Sequence, residues 1–198
     1  MFIDFTDEQK ALREELREYY ANLITPEVLE LQKQEEGTGP VRRKLVEQLG
    51  EDGWIAMGWP EEYGGQGKSA IEQFIFYDET MRVGSPAPML TINTVGPTIM
   101  EYGTDEQKEF FLPQIAAGRL HFCIGYSEPD AGTDLASLTT RAVRDGDEYV
   151  INGQKTWTSL ALGCDYIWLA ARTDPDVSKH KGISLFAIPI DTPGITIE

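Results

Sequence analysis

The spacing of apolar residues changes once along the 198-residue chain, near Gly118, and this change constrains the fold more than any other feature. Before it, apolar residues recur at helical intervals. After it, they come in short β-rich runs divided by Gly, Asp and Pro turns. The pattern predicts an α+β chain with an N-terminal all-α domain over residues 1–118 and a β-domain over 119–198.

Five helices are expected in the first part. Thr6 and Gln9 form a capping box ahead of a helix whose buried stripe is Leu12, Leu16, Tyr19 and Leu23, and Pro26 limits its extension. A second helix opens at Pro40, presents Val41, Leu45 and Leu49, and stops near Gly50. A loop over 54–68 precedes a third helix carrying Ile71, Phe74, Ile75 and Met81, which ends before Ser85-Pro86. A fourth spans 90–102, kinked or started at Pro97. Thr104 and Gln107 cap a fifth, which contains Phe110, Phe111 and Ile115 and ends at Gly118.

In the second part strands are expected at about 121–127, 138–144, 147–152, 155–159, 165–172 and 182–190. Asp145-Gly146, between two apolar runs, marks a two-residue hairpin turn that needs positive φ.

Charge narrows the function classes. Seventeen basic and 33 acidic residues leave a net charge of −16, which argues against nucleic acid or an anionic membrane as the main partner. Cys123 and Cys164 lie in apolar runs without CxxC spacing and read as buried reduced thiols; no metal site is assigned. Met1-Phe2-Ile3-Asp4-Phe5 lacks a basic region and a long apolar run, so neither a signal peptide nor a membrane span is expected, and the location fits the cytoplasm.

Gly67-Lys68-Ser69 ahead of a helix invites a phosphate-loop reading. That motif requires glycine five residues before Gly67, where Glu62 stands, so a structural loop is expected instead. No G-x-G-x-x-G occurs either.

Two hydroxyl clusters carry the chemistry. The first is Tyr126-Ser127-Glu128-Pro129-Asp130-Ala131-Gly132-Thr133-Asp134, where Ser127 and Thr133 offer donors and Gly132 permits close approach of a ligand. The second is Asn152-Gly153-Gln154-Lys155-Thr156-Trp157-Thr158-Ser159, where an aromatic face stands among hydroxyls. A plain β-turn would account for Pro129 and Gly132, and a core position would account for Trp157; both readings stay open on the residues alone.

Ser127-Glu128-Pro129-Asp130-Ala131-Gly132-Thr133-Asp134 resembles the flavin signature T/S-E-P-x-A-G-S/T-D of acyl-CoA dehydrogenases, and residues 152–157 resemble that family's second flavin segment. Trp59-Pro60-Glu61-Glu62-Tyr63-Gly64-Gly65 and Tyr102-Gly103-Thr104-Asp105-Glu106-Gln107-Lys108 are similar to two further family motifs in the same order. Val95-Gly96-Pro97 and Trp157-Thr158-Ser159-Leu160-Ala161 look closest to the actinobacterial branch acting on steroid side-chain thioesters. Departures fall at Asp130, where many members have Gly, and at Leu160-Ala161, where Asn-Gly is usual.

The resemblance implies a helical domain, a β-barrel-like middle domain and a C-terminal four-helix bundle, the bundle being absent from this chain. It implies FAD lined by residues 124–133, with Ile124 on the strand, Ser127 near the ring N5, Tyr126 giving backbone contacts, and Gly132 and Thr133 in the turn. Thr133 would also face the substrate, Trp157 would pack along the ring, and Thr158 and Ser159 would contact it from the second segment. The implied reaction is α,β-desaturation of an acyl-CoA substrate, with electrons passed to an electron-transfer flavoprotein, in a homo- or hetero-oligomer. The family's base is a glutamate on the bundle, so no catalytic residue is assigned: Glu128 belongs to the flavin turn and Asp134 reads as a structural cap. The alternatives are a non-catalytic subunit of a heteromeric dehydrogenase and an acyl-CoA oxidase. A chain ending at Glu198 is expected to leave a sheet edge and an apolar patch uncovered, and to bind FAD weakly or with a partner.

Overall fold

The computed structural model describes residues 4–35 and 38–198; Met1–Ile3, part of the segment read above for a signal peptide, lie outside them. The chain forms two compact units, Met1–Leu120 and His121–Glu198.

The first unit contains α1 (Asp7–Leu23), α2 (Pro26–Gln34), α3 (Pro40–Glu51), α4 (Ala70–Arg82), α5 (Gly96–Tyr102) and α6 (Asp105–Ala116). Both expected capping boxes form, and Ser69 with Glu72 makes a third at the start of α4. Pro26 does more than limit α1. It occupies the first turn of α2, where a missing N–H costs nothing, and the Thr25 hydroxyl accepts from Val28 N. A five-residue π-helical stretch, Thr91–Val95, runs straight into α5, so Pro97 falls within the first turn of that helix.

The expected inner face of α4 is corrected. Ile75, Phe76, Glu79 and Thr80 are buried, while Ile71, Phe74 and Met81 are exposed. The reason is polar. Glu79, only 1% exposed, receives Arg13 and Arg17 from α1 and Arg82 from its own helix, at 3.2–3.4 Å. The Tyr20 and Thr80 hydroxyls meet at 2.6 Å beside them. These partners make a carboxylate and a hydroxyl suitable for the inner face, and α4 turns accordingly. Likewise Leu16 and Tyr20, rather than Tyr19 and Leu23, are the buried positions of α1, and Leu112 replaces Phe110 within α6. In the loop before α4, Lys68 pairs with Glu72 at 3.2 Å and Ser69 caps the helix.

The second unit is a mixed sheet of β1 (Phe122–Gly125), β2 (Arg141–Asp145), β3 (Glu148–Asn152), β4 (Tyr166–Arg172) and β5 (Ile183–Pro189). β5 runs antiparallel along the whole of β4. The other edge of β4 is shared: β1 lies parallel to residues 166–169, and β2 takes over at Arg141↔Arg172. β2 and β3 form the expected hairpin, shifted by one residue. Asp145 pairs with Glu148, the turn residues are Gly146 and Asp147, and only Gly146 has positive φ, at 63°. That matches the hairpin turn with glycine first. The strand expected at 155–159 does not form.

Candidate functional site

β1 ends at Gly125 and β2 begins at Arg141, so the first hydroxyl cluster fills the chain between two strands bonded to one edge of β4. Its shape follows from a tight turn. Glu128 N donates to Ala131 O at 2.9 Å and Ala131 N returns to Glu128 O at 3.2 Å, with Pro129 and Asp130 exposed at the tip. Asp130 keeps a negative φ, which is why this turn needs no glycine there. Ala131 is buried against Leu138 and Ala170, with Tyr126 and Leu135 packed beside them, leaving Gly132 and Thr133 on the exposed side.

The Glu128 side chain holds the cluster together. Its carboxylate accepts from Thr139 N, Thr139 Oγ1, Thr140 N and Lys155 Nζ at 2.6–2.8 Å. Burial pushes this carboxyl up, but the hydrogen bonds from Lys155, Thr140 and the Thr139 backbone outweigh it and hold it at about 2. Burial draws the Lys155 ammonium down, against the pull of Glu128. Asp134 stands at the N-cap of the turn Leu135–Ser137 but makes no side-chain capping bond: its carboxylate takes Lys179 Nζ at 2.6 Å, and its backbone carbonyl accepts from Ser137. Arg172, at the end of β4, fixes the rest of the segment by donating to the carbonyls of Ala136, Leu138 and Lys179.

The second cluster is bound to the first. Thr156 N donates to Ser127 O at 2.9 Å, and Lys155 Nζ donates to Tyr126 O at 3.0 Å as well as to Glu128. These bonds replace the expected strand, because Lys155 turns inward to a buried carboxylate rather than alternating across a sheet. The chain then enters a strained turn. Trp157 has φ 58° and Leu160 φ 66°, the two left-handed positions among the described residues that are not glycine. Ser159 N closes onto Trp157 O at 2.9 Å, and Ala161 N onto Thr158 O at 3.3 Å. Trp157 is 90% exposed, which rules out the core reading for it.

Ser127, Thr156, Trp157, Thr158 and Ser159 therefore lie on adjoining, hydrogen-bonded segments. Ile124 and Tyr126 are half-buried just ahead of them. Three features fit a flat, polar-edged ring: the uncovered Trp157 face, the buried Thr156 hydroxyl without a protein partner, and the open space around Gly132, where an added Cβ would touch nothing. Sequence reasoning missed Lys155 and Glu128 as the join. Their spacing of 27 residues gives no local signal.

Family models match along nearly the whole chain: the acyl-CoA dehydrogenase N-terminal domain at residues 6–119 and the middle domain at 123–198. The chain belongs to the acyl-CoA dehydrogenase family. Among acyl-CoA dehydrogenases it is 59% identical to FadE26 of Mycobacterium tuberculosis, over 99% of this chain and 50% of that protein. It is similar to a chain in the crystal structure of the ChsE4-ChsE5 complex from Mycobacterium tuberculosis, at 60% identity and TM-score 0.91, covering 96% of this chain and 49% of the other. It also resembles the Tcur3481-Tcur3483 steroid ACAD, at 54% identity and TM-score 0.91 over 98% and 50% of the two chains. The chain thus spans about half the length of the relatives it matches. Among the described residues no helix is long and apolar enough to cross a membrane.

Proposed function

We propose that this acyl-CoA dehydrogenase chain supplies one wall of an FAD site for α,β-desaturation of an acyl-CoA thioester. The carrying observation is the hydrogen-bonded join of the two hydroxyl clusters, Thr156 N to Ser127 O, beneath the exposed Trp157 ring. FAD, when bound, supplies a hydride acceptor for hydrogen leaving the substrate β-carbon. Trp157 covers one face of the ring, while Ser127, Thr158 and Ser159 offer hydroxyl and backbone donors to its polar edges. Ile124 and Tyr126 line the approach, Gly132 leaves room, and Thr133 faces the thioester side. Lys179, tied to Asp134 beside Thr133, places positive charge near the same rim of an otherwise acidic chain.

Neither Glu128 nor Asp134 serves as the proton-abstracting base. Glu128 is saturated by donors and held at about 2, and Asp134 is engaged by Lys179. The substrate class we assign is a steroid side-chain acyl-CoA, on the likeness to the steroid ACAD, and the electron acceptor is an electron-transfer flavoprotein.

A second reading is favoured by the likeness to a chain of the ChsE4-ChsE5 complex: this chain acts as the partner subunit of a heteromeric dehydrogenase and contributes flavin contacts without the base. Titration of the chain with FAD, alone and with a candidate partner chain, tests both. Anaerobic bleaching of bound flavin by an acyl-CoA, with slow reoxidation in air, supports a dehydrogenase. Rapid peroxide formation favours an oxidase. Absence of flavin binding under every condition refutes the site.

A further inference from the structure

Two residues of one turn converge on a single phenol in the helical unit. α3 ends at Glu51, and the chain turns through Asp52, Gly53 and Trp54, with Gly53 in the left-handed region at φ 80°. Asp52 and Trp54 both reach Tyr19 on α1. The Tyr19 hydroxyl donates to Asp52 Oδ2 at 2.6 Å, and the centre of the Trp54 ring lies 5.6 Å from that of Tyr19. The turn is fixed from several sides. Asp52 N donates to Gln48 O, Gly53 N to Gly50 O and Trp54 N to Leu49 O, while Gln66 Nε2 donates to Gly53 O at 2.9 Å. Trp54 also stacks on the buried Phe76, with ring planes 9° apart.

Asp52 breaks a local rule. It is the C-cap of α3, where the helix dipole favours a cation, and the last turn of that helix holds no basic residue to offset it. Its Oδ2 accepts from Gln48 Nε2 at 3.0 Å as well as from Tyr19. A tie between α1 and α3 would account for the hydrogen bond but not for an indole on the same turn against the same ring. Burial and the Asp52 carboxylate push the Tyr19 phenol well up, so its proton stays in place until an electron leaves.

We propose that Tyr19 is a redox-active tyrosine, which takes over the one-electron oxidation of Trp54 by a small radical oxidant as a tyrosyl radical, with Asp52 accepting the phenol proton. The oxidant removes one electron from the Trp54 indole and leaves a radical cation. One electron then passes from the Tyr19 ring to Trp54 and restores the neutral indole, while the phenol proton moves along the hydrogen bond to Asp52. A cation and a carboxylate are thereby replaced by a neutral tyrosyl radical and a neutral carboxyl. Tyr20 is not an equal sink. Its ring lies 5.4 Å from that of Tyr19, but its hydroxyl meets the Thr80 hydroxyl, which donates onward to Phe76 O, and no carboxylate stands ready for its proton.

The test is pulse radiolysis of the full chain with the azidyl radical as oxidant, following indole-radical and tyrosyl-radical absorption. The expected result is growth of the tyrosyl radical as the indole radical decays, at a rate independent of protein concentration. That phase should be absent from Tyr19→Phe and from Trp54→Phe, and unchanged in Tyr102→Phe, which removes a tyrosine that is 81% exposed. Its survival in either of the first two variants, or its loss in the third, overturns the proposal. Asp52→Asn should slow the phase by at least about tenfold, and a smaller effect overturns the role of Asp52 as proton acceptor. In the unaltered chain the phase should also slow in D2O, a reading that needs no variant to fold; equal rates in the two solvents overturn the coupled proton transfer. None of these readings depends on flavin binding.

Discussion

Lys155 Nζ lies 2.8 Å from Glu128 Oε1, and both side chains are under a tenth exposed, so one buried ion pair ties together two segments 27 residues apart in sequence. Removing the cation strands a buried carboxylate. Lys155→Met should therefore destabilise the chain by about 3–5 kcal/mol in denaturant unfolding, and the double variant with Glu128→Gln should lose clearly less than the two single losses added together. Additive losses would show that the pair does not act as a unit.

Acid should act on the same carboxylate. Its folded value of about 2 lies below the ordinary 4.5, so its stabilising contribution is complete above about 4.5 and disappears as pH falls toward 2. The wild-type chain is expected to lose roughly 3 kcal/mol more than Glu128→Gln across that window. Lys155 remains charged throughout it. Parallel unfolding curves for the two proteins at every pH would contradict the assignment.

Leu160 occupies a left-handed position at φ 66° and ψ 15°, where Asn and Gly are at ease and a branched side chain is not. Leu160→Asn should raise stability by about 0.5–1 kcal/mol, read as a higher melting temperature. A fall would mean that the half-exposed Leu160 side chain makes contacts worth more than the backbone strain.

Trp157 should separate stability from binding. Its ring is 90% exposed, so Trp157→Ala should change unfolding by no more than about 0.5 kcal/mol. FAD affinity should fall roughly 3- to 10-fold with loss of the stacked face, measured by titration in the presence of the partner that supports binding. Unchanged affinity would remove Trp157 from the site.

Glu79 offers a test in the helical unit. With Arg13, Arg17 and Arg82 around it, Glu79→Gln leaves three guanidinium groups without their shared anion and should cost about 3 kcal/mol in unfolding. A loss below about 1 kcal/mol would show that the three arginines do not depend on this anion.

Local signals in the sequence are mostly reproduced. Capping boxes at Thr6 and Thr104 depend on neighbours a few residues apart and form as expected, and the hairpin forms with its turn one residue later, at 146–147. What the sequence hides is long-range and polar. Glu79 looks like a surface residue until arginines from α1 meet it, and this displaced Ile71, Phe74 and Met81 from the expected inner face. Lys155-Thr156-Trp157 looks like a strand until Glu128 draws the lysine inward. At the site, the hydroxyl clusters were legible by composition and motif, but the exposure of Trp157 was not, since its neighbours suit a core position as well.

The shared edge of β4 also governs how the chain can change length. Residues 126–140 must leave β1 and rejoin the same edge as β2, with Glu128 bonded back to Thr139 and Thr140, so the span between the ends is fixed. Insertions or deletions there would shift the register of β2 and β3 together. The turn at Gly146 and Asp147 is exposed at the far end of β2 and β3, so extra residues can be added there without moving the clusters.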